Sequence, residues 1–274
     1  MNTSRNEGPA RKGRARHPSP PTRRPSPPNR TPAKAPDASS SKGRGGSPAS
    51  PGALDARGLH KAYGDLTALD TLDLSLAVGQ RVALVGHNGS GKTTLLRLCA
   101  GLMEPTAGTV RIMGHDAGSL QARAALSYLA DNPSFYDDLS LWEHLEFTAG
   151  LHGRDGSWAQ EAADLLGAFG LYERADDLPV TFSRGLKQKA SITLGLIRPL
   201  QLLLVDEPFV GLDAGGKEAL LEVLDEVHAR GVTVVVATHE LAFVQRVDRL
   251  VALREGVVIH DGSPDAIDVL PLVT

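Results

Sequence analysis

The chain of 274 residues carries 29 Lys/Arg against 32 Asp/Glu, a formal net charge of −3, and a single cysteine, Cys99. One cysteine excludes an intramolecular disulfide and any Cys-based metal cluster. The longest apolar stretches, such as Leu200 to Val205 and Val232 to Ala237, fall well short of the roughly 18 residues needed to span a bilayer, so a membrane role would have to come through a partner.

The near-neutral total hides two unlike parts. Residues 1–52 hold eleven of the eighteen prolines and eleven Lys/Arg against only Glu7 and Asp37, a local charge of +9 that leaves −12 for the rest. With almost no large apolar side chain, this basic, Pro-rich tail cannot bury enough surface to offset chain entropy and is expected to be disordered. It lacks aromatics for base stacking and an apolar core for a signal peptide. It reads as a solvated extension, with contact to anionic lipid or nucleic acid as the alternative. Residues 53–274 alternate strand and helix patterns and suit one α/β domain.

In chain order, Leu54 to Tyr63 and Leu72 to Val78 read as two antiparallel strands joined by a turn near Gly64-Asp65. Arg81 to Val85 is a strand, Gly86 to Thr94 a glycine-rich loop and Thr94 to Cys99 a helix. Thr109 to Met113 adds a strand to the N-terminal layer, and Ala125 to Leu129 is a further one. The pattern then turns helical over Leu141 to Leu151, Trp158 to Phe169 and Leu186 to Ile197, a helical insert of about residues 134–198. Gln201 to Asp206 and Val232 to Thr238 are apolar without alternation, as in strands of a parallel sheet buried on both faces. The amphipathic helix Gly215 to Arg230 lies between them, and Leu250 to Leu253, Gly256 to His260 and a short helix over Pro264 to Leu270 close the chain.

The loop Gly86-His87-Asn88-Gly89-Ser90-Gly91-Lys92-Thr93-Thr94 has the spacing G-x-x-x-x-G-K-[ST] between a strand and a helix. Its glycines let successive backbone N–H groups turn inward onto phosphates, Lys92 can reach the β/γ oxygens, and the Thr93 hydroxyl can ligate Mg²⁺. The chain should therefore bind a nucleoside triphosphate. Downstream, the strand Leu202 to Val205 ends in Asp206-Glu207. There a carboxylate can hold the Mg²⁺ shell, and its neighbour can polarise an attacking water.

In this combination the chain resembles the ATP-binding cassette (ABC) family over essentially all of residues 54–262. The resemblance implies a P-loop α/β fold with a mostly parallel core sheet, an N-terminal antiparallel layer and a helical insert. It assigns Tyr63 to adenine stacking, and Phe182-Ser183-Arg184-Gly185-Leu186-Lys187-Gln188 to the signature, whose Ser183 and Gly185 would contact the γ-phosphate of the opposite subunit. It assigns Gly211-Leu212-Asp213 to the D-loop, where Asp213 would couple the two sites, and His239 to the switch that contacts the γ-phosphate and orients water or Glu207. Catalysis would then rest on Glu207, His239 and Lys92, and the metal on Thr93, Asp131 and Asp206.

Two departures from the family pattern stand out. Asp131 aligns with the usual glutamine after the strand Ala125 to Leu129; either its carboxylate meets Mg²⁺ or Asn132 supplies the neutral amide. Arg184 and Leu186 replace the glycine and glutamine of the signature, in a Ser-basic-Gly-aliphatic-Lys-Gln form that resembles exporter ATPases whose membrane domain is a separate polypeptide. The resemblance thus implies an ATPase that dimerises on ATP, as a homodimer, beneath separate transmembrane permease subunits on the inner face of the membrane. The segment from Asp131 through Phe147 would dock there, with Trp142 either an interface anchor or helix packing. The alternative is a soluble ABC ATPase acting on ribosomes or nucleic acid. Direct nucleic-acid binding is not the expectation.

Overall fold

The computed structural model describes residues 52–273. The tail expected over residues 1–52 lies, apart from Gly52, outside the described residues.

The first layer is a four-stranded antiparallel sheet in the order β2-β1-β4-β5, built from β1 (Leu54–Tyr63), β2 (Leu66–Leu76), β4 (Ala107–Ile112) and β5 (His115–Asp116). The β1–β2 turn falls at Gly64-Asp65, as the sequence pattern indicates. β2 nevertheless begins six residues before the expected strand, pairing Leu66 with Tyr63. Its first half, Leu66 to Thr71, is mostly exposed, so it carries no apolar alternation to announce it.

The second sheet has the order β10-β9-β3-β8-β7-β6, with β3 (Arg81–Val85), β6 (Leu126–Leu129), β7 (Leu202–Asp206), β8 (Thr233–Ala237), β9 (Arg249–Arg254) and β10 (Val257–Gly262). All neighbours are parallel except the edge hairpin β9–β10. Every residue of β3, β7 and β8 is buried, and the pleat sends alternate side chains into two cores. Val82, Leu84, Leu202, Leu204 and Val235 pack toward the antiparallel layer and the loop helix α1 (Lys92–Cys99). Ala83, Val85, Leu203, Val205, Val234 and Val236 face the other core.

That second core is completed by α3 (Leu141–Leu151), α4 (Trp158–Ala168), α5 (Arg184–Leu196) and α6 (Ala214–Ala229). A reciprocal capping box starts α3: Glu143 N–H donates to Ser140 Oγ at 3.2 Å and Ser140 N–H to Glu143 Oε2 at 2.8 Å. The short helix α2 (Leu120–Ala125) precedes β6. At six residues, fewer than two turns, it is too short to show a helical period in the sequence. α7 (Leu241–Val244) and α8 (Leu270–Val273) complete the described chain. Cys99 is buried in α1, where burial pushes its thiol up to about 12.

The carboxyl ends of β3, β8, β7 and β6 lie side by side. Loops leaving neighbouring parallel strands at this edge meet in one crevice, the usual ligand position of open α/β sheets.

Candidate active site

The glycine-rich loop leaves β3 and enters α1 through Gly91, the N-cap, at φ 106°. A Cβ there would stand 2.8 Å from the Ala68 carbonyl oxygen of β2, so both the backbone angle and the close approach require glycine. No acidic residue occupies the first turn of α1 and no side chain caps it, which leaves its N–H groups to an anion. Lys92 is 6% exposed, and its ammonium donates to the Gly86 carbonyl at 2.5 Å and lies 3.4 Å from that of His87.

Three strand ends converge on that ammonium. Glu207, just beyond β7, places Oε1 3.4 Å from Lys92 Nζ and 3.1 Å from His239 Nε2, which follows β8; Lys92 Nζ and His239 Nε2 are themselves 3.4 Å apart. Backbone bonds hold the strand ends in place: Glu207 N–H donates to the Ala237 carbonyl at 2.9 Å and Thr238 N–H to that of Leu84 at 3.1 Å. Glu207 sits at φ 48°, a conformation that costs a non-glycine residue of order 1 kcal/mol or more and persists only where the surroundings impose it. Burial raises its pKa, against the lowering influence of His239 and Lys92. A carboxylate raised in this way is closer to the acidity a general base needs near neutral pH.

Asp206 ends β7 at 1% exposure, with Oδ1 buried and without a hydrogen-bond partner. Burial raises its pKa first, the Thr93 side chain lowers it, and the charge of Asp131 raises it further. A buried carboxylate oxygen with an unfilled acceptor, next to a threonine hydroxyl and a second carboxylate, is the oxygen-donor set a hard cation takes. The residues therefore fit Mg²⁺, with Thr93, Asp206 and Asp131 to hold it.

Of these groups Lys92, Thr93, Asp131 and Glu207 line an open cavity of about 400 Å³, together with Tyr63, Leu66, Thr67, Ala68 and the rest of the loop from Asn88 to Thr94; Asp206 and His239 are not on its lining. Tyr63 is half exposed, its hydroxyl 2.9 Å from Met103 Sδ and Lys61 Nζ 5.0 Å from its ring centroid. Its half-exposed ring offers an aromatic surface on which a planar ring can stack. Leu66, Thr67 and Ala68 belong to the exposed half of β2, which no hydrophobic period in the sequence marks. Asn132 donates its amide to Asp131 Oδ2 at 3.2 Å, and of the two only Asp131 lines the cavity.

Ser183, Gly185 and Asp213 are not among the lining residues. Ser183 is the N-cap of α5, accepting from Leu186 N–H at 3.4 Å. Gly185 lies so near the Gly211 carbonyl that a Cβ would come within 2.4 Å of it. Asp213 caps α6 through Gly216 N–H at 3.1 Å, and Lys189, 3.3 Å away, heads the causes that lower its pKa. One chain thus gathers the loop, Tyr63, Asp131, Asp206, Glu207 and His239, and leaves Ser183, Gly185 and Asp213 off the cavity lining.

Past Asp131 the chain runs to an aromatic cluster. Tyr136 N–H donates to His144 Nε2 at 2.9 Å, while His144 Nδ1 lies 2.8 Å from the Ser140 carbonyl, so the neutral tautomer protonated at Nδ1 satisfies both contacts. Tyr136 and Phe147 are exposed and meet edge to face at 5.7 Å. Trp142 packs on Trp158, ring centroids 5.4 Å apart, against the second core.

Residues 69–210 match the family described as ABC transporter. The chain is 34% identical over 227 residues to the macrolide export ATP-binding/permease protein MacB of Rhodopseudomonas palustris (strain HaA2), covering 78% of this chain and 35% of that protein. It thus spans about a third of the length of that relative. It is 36% identical over 209 residues to the aliphatic sulfonates import ATP-binding protein SsuB 3 of Pseudomonas savastanoi pv. phaseolicola (strain 1448A / Race 6), covering 75% of this chain and 74% of that one. Among solved structures, an ATP binding subunit of an ABC transporter superposes with TM-score 0.73 at 34% identity, over 78% of this chain and 90% of the other. The dimeric cassette MJ0796, bound to ADP and Pi, superposes with TM-score 0.71 at 24% identity, over 77% of this chain and 98% of the other, and shares the fold.

Proposed function

The chain belongs to the ABC transporter family, and we propose that it is the ATP-hydrolysing cassette of a transporter, working as a head-to-tail dimer beneath separate membrane-spanning subunits. The observation that carries this reading is the convergence of Lys92, Glu207 and His239 within 3.4 Å of one another at the mouth of the glycine-rich loop. Phosphoryl transfer to water asks for position and charge rather than covalent chemistry. The loop N–H groups and Lys92 hold the β/γ-phosphates, Glu207 takes a proton from the attacking water, and His239 fixes the Glu207 carboxylate and the γ-phosphate relative to each other. Tyr63 stacks on the base. Thr93, Asp206 and Asp131 would hold Mg²⁺, which would supply neutralisation of the charge that develops on the phosphate oxygens.

Ser183 and Gly185 stand apart from the cavity of their own chain, which supports their acting on the nucleotide of a second copy, with Asp213 beside them at the junction. We assign residues 53–274 to the cassette, and about 134–198 within it to a helical subdomain that moves with the signature. Among the described residues no helix is long and apolar enough to cross a membrane. The exposed Tyr136 and Phe147 are suited to anchor the cassette on a membrane partner at the inner face. Export is the direction supported by the signature form and by the macrolide-export relative; the sulfonate-import relative supports the opposite one.

The test is to purify the protein from gently solubilised cells, identify what accompanies it by mass spectrometry, and measure Mg²⁺-dependent phosphate release. A stoichiometric polytopic membrane protein with ATPase activity is expected. Ribosomal or nucleic-acid-associated partners without a membrane protein would replace this reading with a soluble ABC ATPase that uses the basic residues 1–52.

A further inference from the structure

Asp131 and Arg184, two positions that depart from the family pattern, are paired with each other. Arg184 Nη2 donates to Asp131 Oδ1 at 2.9 Å across 53 residues of sequence. Asp131 follows β6 and Arg184 opens α5. The stem of Arg184 runs past Gly211, where a Cβ would stand 3.4 Å from Arg184 Cγ. One side chain therefore touches the approach to Asp213 with its stem and the wall of the nucleotide cavity with its head.

The two side chains are 34% and 56% exposed, a setting in which an ion pair adds little to stability. Its consequence lies in what Asp131 faces. The carboxylate lines the cavity beside Thr93 and Glu207, and its charge reaches Asp206. A neutral amide there would be indifferent to the phosphates, whereas an unpaired carboxylate repels them. A carboxylate is also the better ligand for a hard divalent cation, and it cannot give the same lone pairs fully to a guanidinium and a metal at once.

We propose that Arg184 is a positioning residue for the nucleotide site: it neutralises Asp131 until a divalent cation enters with ATP and takes the carboxylate over, so that metal loading and release of the first turn of α5 are one exchange. The first turn of the signature helix then leaves its contact with Asp131 at the step in which the cavity becomes loaded. This rests on the nucleotide reading of the cavity.

The test uses the full chain and a fluorescent ATP analogue, with binding followed in EDTA and during Mg²⁺ titration. Arg184→Gln should lower the Mg²⁺ midpoint for analogue binding about two- to five-fold, the range an exposed ion pair commands, and weaken binding in EDTA. Arg184→Lys should return the midpoint toward wild type. In an Asp131→Asn background Arg184→Gln should leave the midpoint unchanged. Hydrogen exchange in the first turn of α5 should quicken in wild type when Mg²⁺ is added with nucleotide. An unchanged midpoint in the single variant, or an equal shift with Asp131 and with Asn at that position, would overturn the exchange while leaving the site's nucleotide function intact. A wild-type chain that binds no analogue, with or without metal, would overturn the nucleotide reading and the exchange with it.

Discussion

The two halves of the ATP site are built in opposite ways. At the strand ends Lys92, Asp206, Glu207 and His239 are mostly buried and stand within reach of one another, on backbone fixed by the most buried strands of the molecule. In the other half, Ser183 and Asp213 are helix caps whose side chains satisfy local N–H groups, and the Asp213 side chain is 76% exposed. In the proposed function the first half positions a nucleotide within one chain, and the second acts against another molecule. A buried, cross-braced cluster is also less free to adjust than an exposed cap, so substitutions in the two halves should fail in different ways.

The sharpest test of that contrast is Glu207→Gln. It keeps the shape of the cluster and removes the base, so phosphate release should fall by about 10²–10⁴-fold while ATP binding persists and dimers accumulate in size-exclusion chromatography. Turnover near the wild-type rate would remove Glu207 from the reaction. Lys92→Ala should instead weaken nucleotide binding, by about 10- to 100-fold for the loss of a charged hydrogen-bond donor, measured by equilibrium titration of the isolated chain. Ser183→Ala separates the halves directly. Binding to one chain should stay the same while hydrolysis at saturating ATP drops, with a stability cost near the low end of ~0.5–2 kcal/mol because the cap bond to Leu186 is long at 3.4 Å. If Ser183→Ala weakened ATP binding to the isolated chain as much as Lys92→Ala, the signature would belong to the same half as the loop.

The buried half was the legible one. A glycine-rich loop with fixed spacing, an apolar strand ending in two acids and a histidine after another apolar strand are local patterns, and parallel pairing of β3, β8 and β7 brings them together because the loops share one sheet edge. The cavity wall from Leu66 to Ala68 was not legible, since an exposed half-strand has no hydrophobic period. Nor was the Arg184–Asp131 pair: each residue reads alone as a substitution, and only the placement of α5 beside the end of β6 joins them. Trp142 shows a third limit. An aromatic residue on an amphipathic helix is compatible with core or interface, and its stacking on Trp158 depends on a tertiary contact between α3 and α4.

The smallest expected effects distinguish the halves by sign. Asp206 is raised in pKa mainly by burial, so the folded chain binds that proton more tightly than the unfolded chain does. Ionising it therefore costs the folded state stability; the cost is absent below the ordinary value of 3.8, builds up as pH rises from there to the raised folded value, and is constant above it. Asp206→Asn should accordingly raise the melting temperature of the nucleotide-free protein at pH 7, with the gain shrinking toward pH 4, and should lose metal-dependent hydrolysis. Asp213 is lowered in pKa, chiefly by Lys189, so its carboxylate adds stability above the ordinary value and loses it as pH falls through the folded one. Asp213→Asn should lower the melting temperature slightly at pH 7, exposed as the pair is, and leave it unchanged in acid. Thermal unfolding of both variants across pH 2–7 checks the pair. If Asp206→Asn were destabilising at pH 7, the contacts around that carboxylate would outweigh its burial, and the strand-end half would be stabilised by the same charge it uses for chemistry.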